Sequence, residues 1–198
     1  AYVWGLDLSA TLDGAGGIGG LLAVVCYDSP STYTTYVPAC DGNGNIAAYV
    51  RVAADGTGEV AATFAYEPFG KPLAEWYCDS DAKAALDGAP RFSTKLFDTE
   101  TGLYYFGYRH CDPATGRWLS RDPLREKGGA NLYAYCSNDP VNGVDPWGLE
   151  LFIEGGREDL GLLLPRLARI CRIDTDDLVA DRRPNGYRLT IKADRLQQ

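Results

Sequence analysis

The chain has 198 residues, 45% of them hydrophobic and 23% charged, a globular composition with room for one or two domains and a real core. Its net charge of −8 sits wholly in residues 1–149, which carry 10 basic and 18 acidic side chains, against nine of each in residues 150–198. Residues 1–149 hold no basic stripe, which argues against nucleic-acid binding there, and no run is apolar and long enough to span a membrane.

Reading along the chain, Asp-Gly and Asp-to-Gly turns recur at Asp13-Gly14, Asp41-Gly42, Asp55-Gly56, Asp98 to Gly102 and Asp112 to Gly116. Between them lie runs rich in β-branched and aromatic residues, "LLAVVCY", "TYTTYV", "IAAYVRV", "EVAATFAY", "LYYFGYRHC" and "RWLS", each predicting a strand. The spacing reads as a degenerate repeat of hairpins, which must stack or curl against neighbours because a lone hairpin cannot bury its own face. Residues 79–89 predict a short helix behind a capping Asp. Beyond 149 the composition shifts to Arg, Leu and Asp. There "REDLGLLLPRLARICRI" (157–173) predicts an amphipathic helix broken at Pro165, "TDDLVADRR" (175–183) a second short helix, and "GYRLTIKAD" (186–194) a strand. No Met occurs and no signal peptide opens the sequence, so it is expected to be a piece of a longer protein.

Several motifs have plain structural explanations. "GAGGIGG" (14–20) satisfies G-x-G-x-x-G, but a β-like run rather than a helix follows it, so it reads as a hairpin connection and no nucleotide cofactor is expected. Cys26, Cys40, Cys78, Cys111, Cys136 and Cys171 form no C-x-x-C pair, which disfavours a metal site and predicts small buried hydrophobes. His110 and Cys111 are adjacent, and neighbours in a strand point to opposite faces, so they do not form a catalytic pair. Four Asp-Pro pairs remain. Asp112 and Asp139 read as turn residues. Asp122 and Asp145 flank an aromatic-rich segment, with Arg109 upstream. Two carboxylates near one Arg can part their pKa values and act as base and acid, although turn chemistry explains the same residues.

The stretch "RFSTKLFDTETGLYYFGYRHCDPATGRWLSRDPLREKGGANLYAYCSNDPVNGVDPWGL" (91–149) closely resembles the RHS repeat-associated core domain. Before it, "YVWGLDLSATLDGAGGIGGLLAV", "CDGNGNIAAYV" and "YEPFG" are similar to the RHS/YD repeats that lead into that domain. The likeness ends at Leu149. It departs from the usual pattern in His110-Cys111 after Arg109 and in Glu67 of "YEPFG".

The resemblance implies a mainly β fold: antiparallel hairpin repeats over residues 1–90 forming part of a curled β-sheet shell, a core domain at 91–149 and a short α/β tail at 150–198. In toxin-delivering members of the family the shell encloses the C-terminal segment. The core is an aspartyl autoprotease that cuts directly after D-P-x-G-L. Carried over, the scissile bond is Leu149–Glu150, the catalytic residues are Asp122, Asp145 and Arg109, and Pro146, Trp147 and Gly148 form the supporting loop. Cofactors and metals are expected to be none. The expected partners are the chain's own C-terminal segment as cargo, a secretion or delivery partner and an immunity protein. The implied location is secreted or cell-surface, reached by a specialised route. The rival readings are a non-enzymatic structural or cell-surface module, and an inactive relic.

Overall fold

Asp-led turns and apolar runs assemble into three antiparallel sheets in a computed structural model that describes residues 1–8, 10, 17–123, 131–149, 151–154, 178–183 and 186–191. The architecture is mainly β with little helix, and the sheets are open, as expected. The first sheet is a six-stranded meander in chain order: β1 (Tyr2–Trp4), β2 (Leu21–Ser29), β3 (Thr32–Cys40), β4 (Ile46–Val52), β5 (Gly58–Tyr66) and β6 (Pro72–Tyr77).

One piece of chemistry repeats at four of the turns. The carboxylate of the leading Asp accepts the backbone N–H two residues on: Asp41 from Asn43 (2.9 Å), Asp55 from Thr57 (2.9 Å), Asp98 from Glu100 (3.0 Å) and Asp112 from Ala114 (2.9 Å). This side-chain turn mimics a backbone turn and is the local cause of the repeat. In the glycine loop, Gly20 N–H donates to the Gly17 carbonyl, and strand β2 follows directly.

Cross-strand pairing puts Tyr49 opposite both Pro38 and Ala62, and Ala62 opposite Tyr77. The buried face built this way includes Val24, Tyr36, Ile46, Tyr49 and Phe64, and it is covered by helix α1 (Ser80–Ala85), whose Ala82 and the following Leu86 are fully buried. Asp79 caps this helix by accepting the Ala82 N–H at 2.7 Å, and it also pairs with Arg51 at 2.9 Å.

The second sheet runs β10-β9-β8-β7, from β7 (Leu96–Asp98), β8 (Leu103–Tyr105), β9 (His110–Asp112) and β10 (Arg117–Trp118). Here the structure corrects the expected single strand over "LYYFGYRHC". Gly107 at φ +101 folds that run back on itself, the Phe106 N–H meets the Arg109 carbonyl at 3.0 Å, and β8 pairs with β9. The strand in "RWLS" is limited to Arg117–Trp118. Its core is almost entirely aromatic, with Phe106, Trp118 and Tyr135 in mutual edge contacts at 5.1–5.5 Å.

Arg91 ties the two cores together. It is 2% exposed, lies between the rings of Phe64 (4.9 Å) and Phe97 (4.8 Å), and donates to Glu75 (2.8 Å) and the Tyr77 hydroxyl (3.0 Å). Two tight turns use left-handed backbone at residues other than glycine: Ser93 and Thr94 (φ 51 and 52), and Cys136, Ser137 and Asn138 (φ 48, 51 and 68). Such residues cost about 1–2 kcal/mol each, so the surrounding contacts must hold them.

The third sheet, in order β11-β13-β12, comprises β11 (Leu151–Glu154), β12 (Leu178–Arg183) and β13 (Gly186–Ile191). Of the strand expected over 186–194, residues 186–191 form β13, and within the helix expected over 175–183 the described residues 178–183 form strand β12 instead. Local composition favoured a helix, whereas the ladder to β13, running from Leu178–Ile191 to Arg183–Gly186, supplies hydrogen bonds that a local reading leaves out. The helix expected at 157–173 lies outside the described residues. Among the cysteines, Cys111 and Cys136 are buried and Cys26 and Cys78 half-buried, as expected of small hydrophobes. Cys40, the last residue of β3, is exposed, contrary to that expectation; Cys171 lies outside the described residues.

Removing the helix cap tests this account. Asp79→Ala is expected to lower stability by about 1 kcal/mol, read from the urea midpoint, with the sheet spectrum unchanged.

Candidate functional site

The turn that splits β8 from β9 delivers Arg109. Its guanidinium is 2% exposed and stacks over the Trp118 ring at 4.3 Å. One end, Nη1, lies 2.9 Å from Asp122 Oδ2; the other, Nη2, lies 3.4 Å from Asp145 Oδ2; and Nε donates to the Gly148 carbonyl. Asp122 and Asp145 are 6% and 1% exposed, so three charged groups meet out of water. Asp122 is set by its own backbone, whose N–H donates to the Leu132 carbonyl at 2.9 Å.

Asp145 grips the loop that follows it. Its Oδ1 accepts the N–H of Gly148 (2.8 Å) and of Leu149 (2.9 Å), with a longer approach from Trp147 (3.4 Å). The loop Pro146, Trp147, Gly148 and Leu149 is thereby drawn under Arg109, and Leu149 is buried. Gly148 sits at φ +75, and a Cβ there would lie 3.2 Å from Arg109 Cβ and 3.3 Å from Arg109 N, so a larger residue is strained in conformation and crowded against Arg109. Glu150 lies outside the described residues.

Sequence reasoning missed Lys95 and Trp118. Lys95 is 7% exposed and donates from Nζ to the Pro146 carbonyl at 2.6 Å. Burial pushes its ammonium down to about 8, against the opposing pull of Asp145 and Asp7. A signal was available: Lys95 and Phe97 share one face at spacing two while Leu96 faces outward, so the period places this lysine on the buried side.

The remaining motif residues fall elsewhere. Asp112 accepts from Ala114 and Thr115, and the exposed Asp139 accepts from Asn142, both as turn residues. His110 is exposed and packs on Tyr105, while Cys111 is buried with its thiol pushed up to about 12 by desolvation. No helix among the described residues is long and apolar enough to cross a membrane.

No family model matches the chain. Among curated relatives it is 43% identical over 96 residues to double-stranded DNA deaminase toxin A of Burkholderia cenocepacia, and 42% identical over 95 residues to toxin subunit YenC1 of Yersinia entomophaga. Each match takes in 48% of this chain but only 6% and 9% of those relatives, so the chain spans less than a tenth of their length. In structure it is similar to the crystal structure of TcdB2-TccC3-Cdc42, with a TM-score of 0.55 at 30% identity, over 64% of this chain and 6% of that one. Homologues of this chain therefore include toxin proteins.

Two outcomes follow from the geometry. Gly148→Ala is expected to lower stability by about 2 kcal/mol in thermal or urea unfolding, through its left-handed backbone and the contact with Arg109. For Lys95, the unfolded chain keeps its proton up to about 10.5 whereas the folded chain releases it near 8, so between these values the unfolded state binds more protons and stability rises with pH. Wild type is expected to gain stability relative to Lys95→Met across that window, read from parallel denaturation curves.

Proposed function

We propose that this chain is the C-terminal part of an RHS-repeat protein whose core cuts its own backbone between Leu149 and Glu150, releasing the segment from Glu150 onward as a toxin or effector. The observation that carries this reading is that Arg109 reaches Asp122, Asp145 and the Gly148 carbonyl together, in a spot shielded from water. The loop it holds ends at the proposed bond.

The geometry favours unequal roles for the two carboxylates. Asp145 Oδ1 already receives the Gly148 and Leu149 amides, so Asp145 is the clamp that fixes the peptide entering the bond. Asp122, at the far end of the guanidinium, is the base. A cation between the two carboxylates lets each face a positive charge, unlike a dyad that shares one proton. In the proposed step, water adds to the carbonyl carbon of Leu149 and its proton passes to Asp122. The tetrahedral carbon then expels the Glu150 nitrogen, which takes up that proton from Asp122 to leave as an amine, and the amine takes its further proton from the new Leu149 carboxylic acid. The products are a Leu149 carboxylate and a Glu150 ammonium. Arg109 steadies negative charge near the reacting carbonyl, and folding has already placed the substrate, which removes much of the positioning cost.

On this reading residues 1–90 are repeat shell, 91–149 core and 150–198 cargo, in a chain whose homologues include toxin proteins. A delivery partner, an immunity protein and a secreted or surface location belong to this reading.

Intact mass after purification tests it. Two polypeptides are expected, the smaller beginning at Glu150. Asp122→Asn and Asp145→Asn should each leave one uncut chain, while Asp139→Asn, a change in an exposed turn, should cut normally. A single intact mass from the folded, unmutated chain would overturn the reading for this chain.

A further inference from the structure

We propose that Lys95 is a positioning residue for the cut after Leu149, holding the Pro146 carbonyl so that the peptide planes leading to the bond are fixed. The proposal rests on the autoproteolytic reading above. Three successive carbonyls before the bond each accept a different donor: Pro146 from Lys95 Nζ (2.6 Å), Trp147 from the Tyr108 N–H (3.2 Å) and Gly148 from Arg109 Nε. The last two donors come from one turn. Lys95 brings its donor from a different segment, the one that leads into β7.

The lysine is itself delivered rigidly. It follows the left-handed pair Ser93 and Thr94, and hydrogen bonds on and around that pair lock it in place. Ser93 N–H donates to Asn45 Oδ1 (2.8 Å), Thr94 Oγ1 donates to the Gly44 carbonyl (2.6 Å), Thr94 Oγ1 accepts the Gly19 N–H (2.8 Å), and the Arg91 N–H donates to the Lys95 carbonyl (2.9 Å). Strain held by the first sheet thus places an ammonium under the cleavage loop. The ammonium also lies over the rings of Phe106 (5.4 Å) and Trp147 (5.5 Å), which restricts its orientation. The charged groups that act on it are Asp145, on the loop, and Asp7, on the segment after β1. A charge-assisted hydrogen bond at a buried carbonyl is strong, and an apolar replacement leaves that carbonyl without its donor. Misplacement by about 1 Å costs roughly 100-fold in rate.

The test follows cleavage of the full chain from its synthesis in a cell-free translation, by mass and gel against time. Lys95→Met is expected to cut about 10- to 100-fold more slowly than wild type, and Lys95→Arg, which keeps a charged donor, to recover at least a tenth of the wild-type rate. Above about pH 8 the wild-type rate should fall as the ammonium loses its charge, while the Lys95→Met rate stays level, a difference that a purely structural role would not produce. Should Lys95→Met fail to fold, the fall in the folded Lys95→Arg chain's rate decides: it must move to higher pH with the guanidinium in place, and a profile unchanged from wild type overturns the proposal. Wild-type cutting matched by a folded Lys95→Met chain overturns the role of Lys95 alone. An uncut wild-type chain overturns both this proposal and the reading beneath it.

Discussion

Arg109 is the charge around which the second half of the molecule is arranged. Moving one ion out of water costs several kcal/mol, and a guanidinium this deep is tolerable only with carboxylates and hydrogen-bond acceptors around it. Asp122 and Asp145 answer that need, as do the Trp118 face and the Gly148 carbonyl. The arrangement carries a conflict. Losing one partner from a buried pair typically costs about 3–5 kcal/mol, so the residues best placed for chemistry are also structural.

A second buried arginine solves the same problem differently. Arg91 has one carboxylate, a phenol and two aromatic faces, and it joins two cores instead of forming a reactive cluster. The contrast turns on acceptors. Arg109 meets a backbone carbonyl and two buried acids, whereas Glu75, the partner of Arg91, is exposed at the surface. Burial of an arginine alone therefore does not mark a site. What marks it is convergence on a backbone segment held at left-handed Gly148.

Much of the fold was legible because its causes are local. Asp at the head of each turn, β-branched runs between turns, and Asp79 before an Ala-rich segment specify hairpins and one capped helix from neighbouring residues alone. The misses share another cause. "LYYFGYRHC" looks like one strand, and only its packing against the Trp147 loop reveals the fold-back at Gly107. Residues 178–183 look helical until their ladder partner is in view. At the site, residue chemistry singles out Arg109, Asp122 and Asp145 while leaving turn chemistry as an explanation of the same carboxylates, and only the family likeness makes them catalytic, since nothing in residue spacing brings position 109 to positions 122 and 145. Lys95 escaped because a charged side chain beside a short strand reads as solvent-facing, although its alternation with Leu96 pointed inward.

The hydrogen bonds of the 145–149 loop have a bearing on what would be left behind. The grips described on Pro146, Trp147, Gly148 and Leu149 all lie on the upstream side of the Leu149–Glu150 bond. Severing that bond would undo none of them. The new chain end would stay seated beneath Arg109, occupying the groove in which it was made and offering a carboxylate to the same guanidinium. On the proposed reading such a device would fire once and then be plugged by its own spent end, needing no inhibitor to keep it from turning on other chains.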